Sequence, residues 1–236
     1  MPLHTAEALV LRTYKLGEAD RIVVFLTKDR GKKRGVAKGA RRQRSRFAGA
    51  LEPLTEVRVA YFESERRELV GLNYAETVRS PLSLAAASSA TMPALAGRYL
   101  LVEYIAELLD EWAQDSDADD RLYRLGASML DALTAGAPPE PLARYFEYWL
   151  LRLQGVYPEA RGTLSPQALG FLASARAVPP HEVGAVPADV RVLGTGRRAS
   201  GVDHDASGEI VEIGQGVSRV APHGKLEDRH QTSDAK

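Results

Sequence analysis

Short hydrophobic runs, several of which alternate with polar residues, fill the first 80 residues of the chain. Alternation with a period of two is typical of β-strands, and runs of this length are too short to favour helices. We predict five strands, at residues 7–15, 20–28, 32–39, 54–63 and 67–76. In the first strand, strict alternation places two sets of side chains on opposite faces: Ala8, Val10, Arg12 and Tyr14 on one, and Leu9, Leu11 and Thr13 on the other.

Five strands in so short a segment fit a Greek-key barrel of the OB type, because closing a small sheet removes the exposed edges that an open sheet would leave. An SH3-like barrel fits the strand count nearly as well. The sequence therefore predicts a small all-β unit at the start of the chain and leaves two barrel types open.

Apolar residues at helical spacing replace this alternation after residue 90. We predict four helices, at residues 91–112, 120–136, 138–155 and 165–176. Thr91 and Ser165 are expected to be N-caps, and glycines end the second and third helices. The later part of the chain shows no sustained helical period, which predicts a disordered or atypical tail. The predicted fold is α+β, with an OB-fold barrel in residues 1–80, a helical domain in residues 81–183 and an irregular tail in residues 184–236.

Charge is unevenly distributed along a chain whose formal net charge is zero. Residues 28–46, the basic segment, carry ten Lys or Arg side chains against a single acid, Asp29. Residues 103–120 invert this balance, with eight acidic side chains and neither Lys nor Arg. A concentration of like charges costs energy unless an oppositely charged partner offsets the repulsion. We therefore expect the basic segment to attract a polyanion.

Composition also excludes several kinds of chemistry. The chain has no cysteine, so it cannot form disulfides, thiolate metal sites or a cysteine nucleophile. The acidic run DSDADD, residues 115–120, lacks the glycine that a calcium-binding EF-hand loop has at its sixth position, and its aspartates are expected to cap a helix. No apolar run approaches the ~18 residues of a membrane-spanning helix, and no signal-peptide pattern is present. We predict a cytoplasmic protein without a metal or cofactor.

Three parts of the sequence carry a resemblance to a known family. They are EALVLRTYKLGEADRIVVFLT, then GKKRGVAKGARRQRSRFAGALEPLTEV, then a helical segment with YLLVEYIAELL and YFEYWLLRLQG. In this order they resemble the bacterial RecO family of DNA repair proteins over roughly residues 5–176. The phrase VAKGARRxxSRFxGxLxPL, which begins at Val36, is a fairly specific part of the resemblance.

The resemblance implies an N-terminal OB-fold followed by a helical domain. It also implies a nucleoid-associated recombination mediator without a catalytic residue, which binds single- and double-stranded DNA and anneals complementary strands. Such a mediator works with RecR and RecF to load recombinase onto DNA coated with single-strand-binding protein. Carried onto this sequence, the resemblance assigns phosphate contacts to Arg34, Lys38, Arg41, Arg42 and Arg46, with Arg12 and Lys32 as second choices.

The family contact with the acidic, apolar C-terminal tail of single-strand-binding protein lies in the helical domain. An arginine beside an apolar pocket would suit that tail, and Arg144 and Arg152 are candidates by their chemistry. The sequence offers no residue for the contact with RecR.

The chain departs from the family pattern in two places. Many relatives carry a four-cysteine zinc module after the long helix, and this chain has no cysteine, so zinc is not expected. The family closes with a basic, apolar helix, a pattern that residues 184–236 lack; one hypothesis is a reading-frame change. Two other functions stay open on the residues alone. One is an OB-fold RNA-binding protein of the translation apparatus, and the other is a metal-dependent nuclease, for which the predicted barrel offers only scattered acids.

Overall fold

A closed five-stranded barrel forms the first part of the computed structural model, which describes residues 2–64, 66–81, 83, 91–157 and 165–185. The strands are β1 (Leu3–Leu16), β2 (Asp20–Thr27), β3 (Gly31–Ala37), β4 (Glu56–Phe62) and β5 (Val70–Arg79). They close in the order β1-β2-β3-β5-β4, and every contact is antiparallel except a short parallel one between β3 and β5. This is the order of an OB-type barrel, so that prediction is confirmed over the SH3-like alternative.

Apolar side chains from all five strands fill the inside of the barrel, among them Val10, Phe25, Ala37, Tyr61 and Leu72. Three further side chains come from the loop between β3 and β4, residues 38–55: Phe47, Ala50 and Leu51. This loop, which contains the second half of the basic segment, therefore closes one end of the barrel. We call it the basic loop, and we call this end, where β1 and β3 finish and β2 begins, the loop end.

A β-bulge at Leu11 changes the faces predicted for β1. The pairing of β1 with β2 steps from Val10 to Arg12, which leaves Leu11 as an extra residue. Val10 points into the barrel, whereas Arg12 and Tyr14 lie on the outer face together with Leu9. The prediction that Arg12 and Tyr14 share a face with Val10 is therefore wrong, because the inserted residue shifts the alternation by one.

Four α-helices follow in the described part of the chain, at the predicted positions: α1 (Met92–Trp112), α2 (Asp120–Thr134), α3 (Pro139–Leu153) and α4 (Pro166–Ala177). The carboxylate of Asp119 caps α2 by accepting hydrogen bonds from the backbone N–H groups of Arg121 and Leu122. Ser165 caps α4 as predicted. Thr91 precedes α1, but its side chain makes no capping hydrogen bond. A short 3₁₀ helix, Pro180–Ala185, comes after α4.

The helices pack against the outer face of the barrel. Their core joins apolar side chains of the helices to outward-facing side chains of the strands, including Leu9 of β1 and Leu26 of β2. Gly126 of α2 shows how closely they meet, because a Cβ added there would lie 2.7 Å from Cδ1 of Leu9 and 2.8 Å from Cδ1 of Leu109. As a result residues 8–11 of β1 are buried on both faces of the strand, one inside the barrel and the other beneath the helices.

The linker between α1 and α2 runs along the edge of β3. The backbone N–H of Lys32 donates to the carbonyl of Gln114 at 3.1 Å, and the Lys32 carbonyl accepts from the N–H of Ser116 at 3.0 Å. Gly31 has a φ of +66°, and a Cβ at this position would overlap the backbone of Asp117. The linker thus satisfies backbone groups that an edge strand would otherwise leave unpaired.

One buried carboxylate connects β4 and β5 to α2. Glu56 is 7% exposed and accepts hydrogen bonds from Arg79 and, at 2.8 Å, from the hydroxyl of Tyr123. Arg79 also pairs with Asp131 of α2. Burial, together with the hydrogen bond to Glu56, raises the pKa of Tyr123, so its hydroxyl stays a proton donor.

Some expectations are not tested by the described residues. The predicted tail, residues 184–236, lies outside them except for its first two positions. The domain boundaries near residues 80 and 183 stay predictions. Within the described ranges, no helix is long and apolar enough to cross a membrane.

Candidate nucleic-acid interface

The turn between β1 and β2 and the start of the basic loop are joined at the loop end of the barrel. The backbone N–H of Arg41 donates to the carbonyl of Ala19 at 2.9 Å, and its guanidinium donates to the carbonyl of Gly17 at 2.9 Å. The carboxylate of Asp20 accepts from the N–H of Gly39 at 2.8 Å. With the side chains that plug the barrel, these bonds fix the course of the basic loop.

Four cations on β3 and the basic loop have exposed side chains with no ion-pair or hydrogen-bond partner among the described residues. We call them the open cations: Arg34, Lys38, Arg42 and Arg44. Arg41 is exposed as well, and the guanidinium of Arg46 lies 5.0 Å from the ring centroid of Phe47. All five first-choice residues therefore lie on β3 or the loop that follows it, and Arg44 joins them.

The other cations of the basic segment are matched by acids. Lys32 and Lys33 are only 8% and 9% exposed. Lys32 Nζ donates to the carbonyl of Asp110 at 2.6 Å and lies 3.5 Å from its carboxylate. Lys33 Nζ donates to the carboxylate of Glu63 at 2.7 Å, and this hydrogen bond holds the pKa of Glu63 below its usual value. On the surface, Lys28 pairs with Glu7 and Arg30 with Asp29.

Arg12, a second-choice candidate, faces the helices. Its guanidinium lies 3.6 Å from the carboxylate of Glu107 and 3.5 Å from that of Asp110, both on α1. The pKa of Arg12 is raised, chiefly by a hydrogen bond with Tyr14 and also by the two carboxylates. Arg12 and Lys32 therefore join the barrel to α1, and part of the acidic run in residues 103–120 is neutralised by the barrel. A phosphate contact for either residue stays a prediction.

Cross-strand pairing arranges the outer face of β1, β2 and β3 in rows. One row contains Arg12, Val24 and Arg34, and the next row towards the loop end contains Tyr14, Ile22 and Val36. Tyr14 is 46% exposed, and the other two members of its row are partly exposed. In the opposite direction, the pair Leu9 and Leu26 is covered by the helices. This face of the barrel is therefore open only towards the loop end.

A groove of 560 Å³ between α3 and α4 contains Arg152, one of the two candidates for partner binding. Arg152 and Arg176 both donate to the hydroxyl of Tyr148, and both guanidinium groups lie within 6 Å of the centre of its ring. Neither arginine pairs with an acid of the described residues. Leucines line the groove beside them, among them Leu169, which is 49% exposed.

Arg144, the other candidate, lies on α3 outside this groove. Its guanidinium makes two hydrogen bonds to the carboxylate of Glu147, at 2.8 Å and 2.9 Å. Tyr104 donates to the same carboxylate at 2.8 Å. The charge of Arg144 is therefore already matched within its own helix.

Comparison with known families adds to this geometry. The family described as "Recombination protein O N terminal" matches residues 1–81, and the one described as "Recombination protein O C terminal" matches residues 96–176. The chain belongs to the RecO family. The resemblance found in the sequence is confirmed, and the two RecO matches fall on the barrel and on the helices.

Several curated relatives carry the name DNA repair protein RecO. The protein of Koribacter versatilis is 41% identical over 157 residues, which cover 66% of this chain and 61% of the relative. That of Anaeromyxobacter sp. strain K is 40% identical over 151 residues, covering 64% and 56%. A shorter match, to the Nocardioides protein, is 54% identical over 76 residues and covers 32% of this chain and 30% of the relative. The chain thus spans about three-fifths of the length of the first two RecO relatives.

Two side chains of these candidate sites were missed by sequence reasoning. Arg44 belongs to the same basic segment as the chosen residues, so the charge count alone gave a signal for it. Arg176 lies 24 positions after Arg152 on a different helix. No local spacing relates the two arginines, which meet only because α3 and α4 pack side by side.

Proposed function

We propose that this RecO-family chain binds single- and double-stranded DNA at the loop end of its barrel and anneals complementary strands without catalysing a reaction. The observation that carries the proposal is the set of open cations, four exposed charges that no described acid matches. DNA phosphates suit such a surface, because binding releases condensed counterions and reads no base sequence. Independence from sequence is what a repair protein needs, since damage occurs anywhere in a genome.

Annealing requires no reacting group. Two complementary strands repel each other through their phosphates, and a surface that neutralises the backbones while leaving base edges free reduces that repulsion. The fixed course of the basic loop supports this role, because its cations are held towards solvent instead of folding onto the acids of α1.

Family membership supports a place for the chain beside RecR, RecF and single-strand-binding protein in loading recombinase onto DNA. The groove between α3 and α4 supports one of these contacts. Arg152 and Arg176 offer two charges beside apolar walls that no acid of the described residues matches. Together they suit a peptide that ends in apolar residues and a free carboxylate, such as the acidic, apolar tail of single-strand-binding protein.

Removing three candidate contacts tests the DNA surface. We expect Arg34→Ala/Lys38→Ala/Arg42→Ala to weaken binding to a single-stranded oligonucleotide and to slow annealing. The slope of log affinity against log salt should flatten by about 2, at ~0.7 per lost phosphate contact. Fluorescence anisotropy across a salt series measures the affinity. The rate at which labelled complementary strands form a duplex measures annealing.

The matched control is Arg66→Ala/Arg67→Ala, which removes exposed cations from the β4–β5 connection at the other end of the barrel. We expect this variant to keep the wild-type salt slope. An unchanged slope in the triple variant, or equal flattening in the control, would contradict the proposed surface.

A peptide assay tests the groove separately. We expect Arg152→Ala to weaken binding of an acidic, apolar peptide with a free C-terminal carboxylate by about 10-fold to 150-fold, the range for one charge-assisted hydrogen bond. Amidating the peptide terminus should cause a similar loss in the wild type. Arg144→Ala serves as the control, because Arg144 already pairs with Glu147. If Arg144→Ala weakens peptide binding and Arg152→Ala does not, the peptide does not bind in the groove.

A further inference from the structure

The outer face of β1, β2 and β3 offers a surface of a different kind from the open cations. Tyr14 is 46% exposed and lies in a row with Ile22 and Val36, which are partly exposed. We propose that Tyr14 stacks on an unpaired base, so that this row selects single strands over duplex. The inference rests on the proposed function, because it assigns base contacts beside the phosphate contacts of the same DNA-binding surface.

The β-bulge at Leu11 is what gives Tyr14 this position. Without the extra residue, the alternation that sends Val10 into the barrel would also send Tyr14 there. Bulges commonly re-aim a side chain in this way next to a binding site. An aromatic ring on the outer face leaves a large apolar surface in water, a cost that a stacked base would remove.

Cations lie on both sides of the Tyr14 row along the direction of β3. Arg34 belongs to the neighbouring row on the same face, and Lys38 follows β3 two residues after Val36. Both are open cations. A strand that stacks a base on Tyr14 can therefore place adjacent phosphates near unmatched positive charges, which is how sequence-tolerant single-strand sites combine the two interactions.

The helices limit how far such a strand can extend. Beyond the row of Arg12 and Arg34, the outer face is closed by the packing of α1 over Leu9 and Leu26 and by the acids that hold Lys32. A strand on this face is therefore confined to the half nearest the loop end. A duplex keeps its bases stacked within the helix and cannot offer one to Tyr14 unless it frays, so the row discriminates against it.

Another exposed aromatic of the barrel provides a comparison. Tyr74 of β5 is 37% exposed and lies opposite Ala60 on the outer face formed by β4 and β5. On β4 and β5 two positions further on, Arg58 pairs with Glu76. Tyr74 therefore has similar exposure to Tyr14 and lies next to a matched ion pair, which makes it the control.

The test measures binding of full-length variants to oligothymidine and to a blunt duplex across a salt series. We expect Tyr14→Ala to weaken binding to oligothymidine by about 5-fold to 150-fold, the range for one stacked base. The salt slope should be unchanged because no phosphate contact is lost, and duplex affinity should equal that of the wild type. Tyr14→Phe keeps the ring and loses only the hydroxyl that contacts Arg12, so it should bind both probes like the wild type. Tyr74→Ala should do the same.

Three results would overturn the inference: wild-type affinity of Tyr14→Ala for oligothymidine, an equal loss on single strand and duplex, or an equal loss with Tyr14→Phe. An equal loss on single strand and duplex would mean that Tyr14 acts through the fold. An equal loss with Tyr14→Phe would mean that it acts through the hydroxyl that contacts Arg12. Failure of the proposed function gives a different result. In that case, replacing the open cations leaves the salt slope unchanged, whatever the effect of Tyr14→Ala.

Discussion

Replacing Arg79 by alanine is expected to lower the free energy of unfolding by about 2 to 3 kcal/mol. Removing one member of a buried ion pair typically costs about 3 to 5 kcal/mol because the other charge is left without its partner. Here the partner is Glu56, which is 7% exposed and, among the described side chains, keeps only the hydrogen bond from Tyr123. The side chain of Arg79 is itself 35% exposed, so water offsets part of the loss. Chemical denaturation followed by the fluorescence of the two tryptophans measures the effect.

Arg58→Ala is the control for this prediction. Arg58 and Glu76 form an ion pair on the same two strands, with side chains 54% and 66% exposed. A surface pair of this kind contributes about 1 kcal/mol or less. Adding Glu56→Gln to the Arg79→Ala variant should recover part of the stability, since it removes the unpaired charge. Equal losses for Arg79→Ala and Arg58→Ala would mean that Glu56 is adequately solvated.

Gly31→Ala is expected to destabilise the protein by at least about 2 kcal/mol. Two costs act at this position. A residue with a Cβ is strained at a φ of +66° by about 1 to 2 kcal/mol, and the added Cβ would overlap the backbone of Asp117, which must move. Because the linker of Asp117 pairs with Lys32, that movement also weakens the hydrogen bonds along β3. Thermal or chemical denaturation measures the loss.

Gly17→Ala separates the two costs. Gly17 has a similar φ of +58°, and a Cβ there would meet nothing within 4 Å. Its replacement should therefore show the backbone strain alone, about 1 kcal/mol. If both glycine variants lose the same stability, the close approach of the linker to Gly31 contributes nothing.

The elements of this fold follow from local patterns. Short hydrophobic runs, several of them alternating, predicted the five strands, and apolar spacing with cap residues predicted the four helices. The barrel order did not follow from the pattern, because strand count alone fitted two kinds of barrel. The short parallel contact of Gly35 with Val70 joins residues 35 positions apart, and sequence spacing carries no signal for such a pairing.

The candidate site was predicted in part, for a physical reason. The charge count of residues 28–46 predicted a segment in which Arg34, Lys38 and Arg42 are exposed without partners among the described residues. The same count could not separate them from Lys32, which is buried against Asp110. Net charge sums over neighbours along the chain, whereas pairing depends on neighbours in space, and α1 begins some 60 residues later.

The β-bulge at Leu11 shows a similar limit of prediction from sequence, within a single strand. Nothing in the run EALVLRTYK marks Leu11 as an extra residue, since both faces of β1 have apolar side chains to bury. Alternation assigns faces reliably only where one face meets water. The outward position of Tyr14 therefore could not be read from the strand pattern, although it decides what the outer face can bind.

The burial of residues 8–11 of β1 on both faces has a consequence for how the chain folds. The barrel interior needs Val10 from this strand, and the helical core needs Leu9 from the same strand. Loss of β1 would open both cores to water at once, so their free energies of formation are coupled, and we expect barrel and helices to melt in one cooperative transition. We therefore expect a boundary drawn near residue 80 to separate two stretches of sequence, but not two independently stable folds.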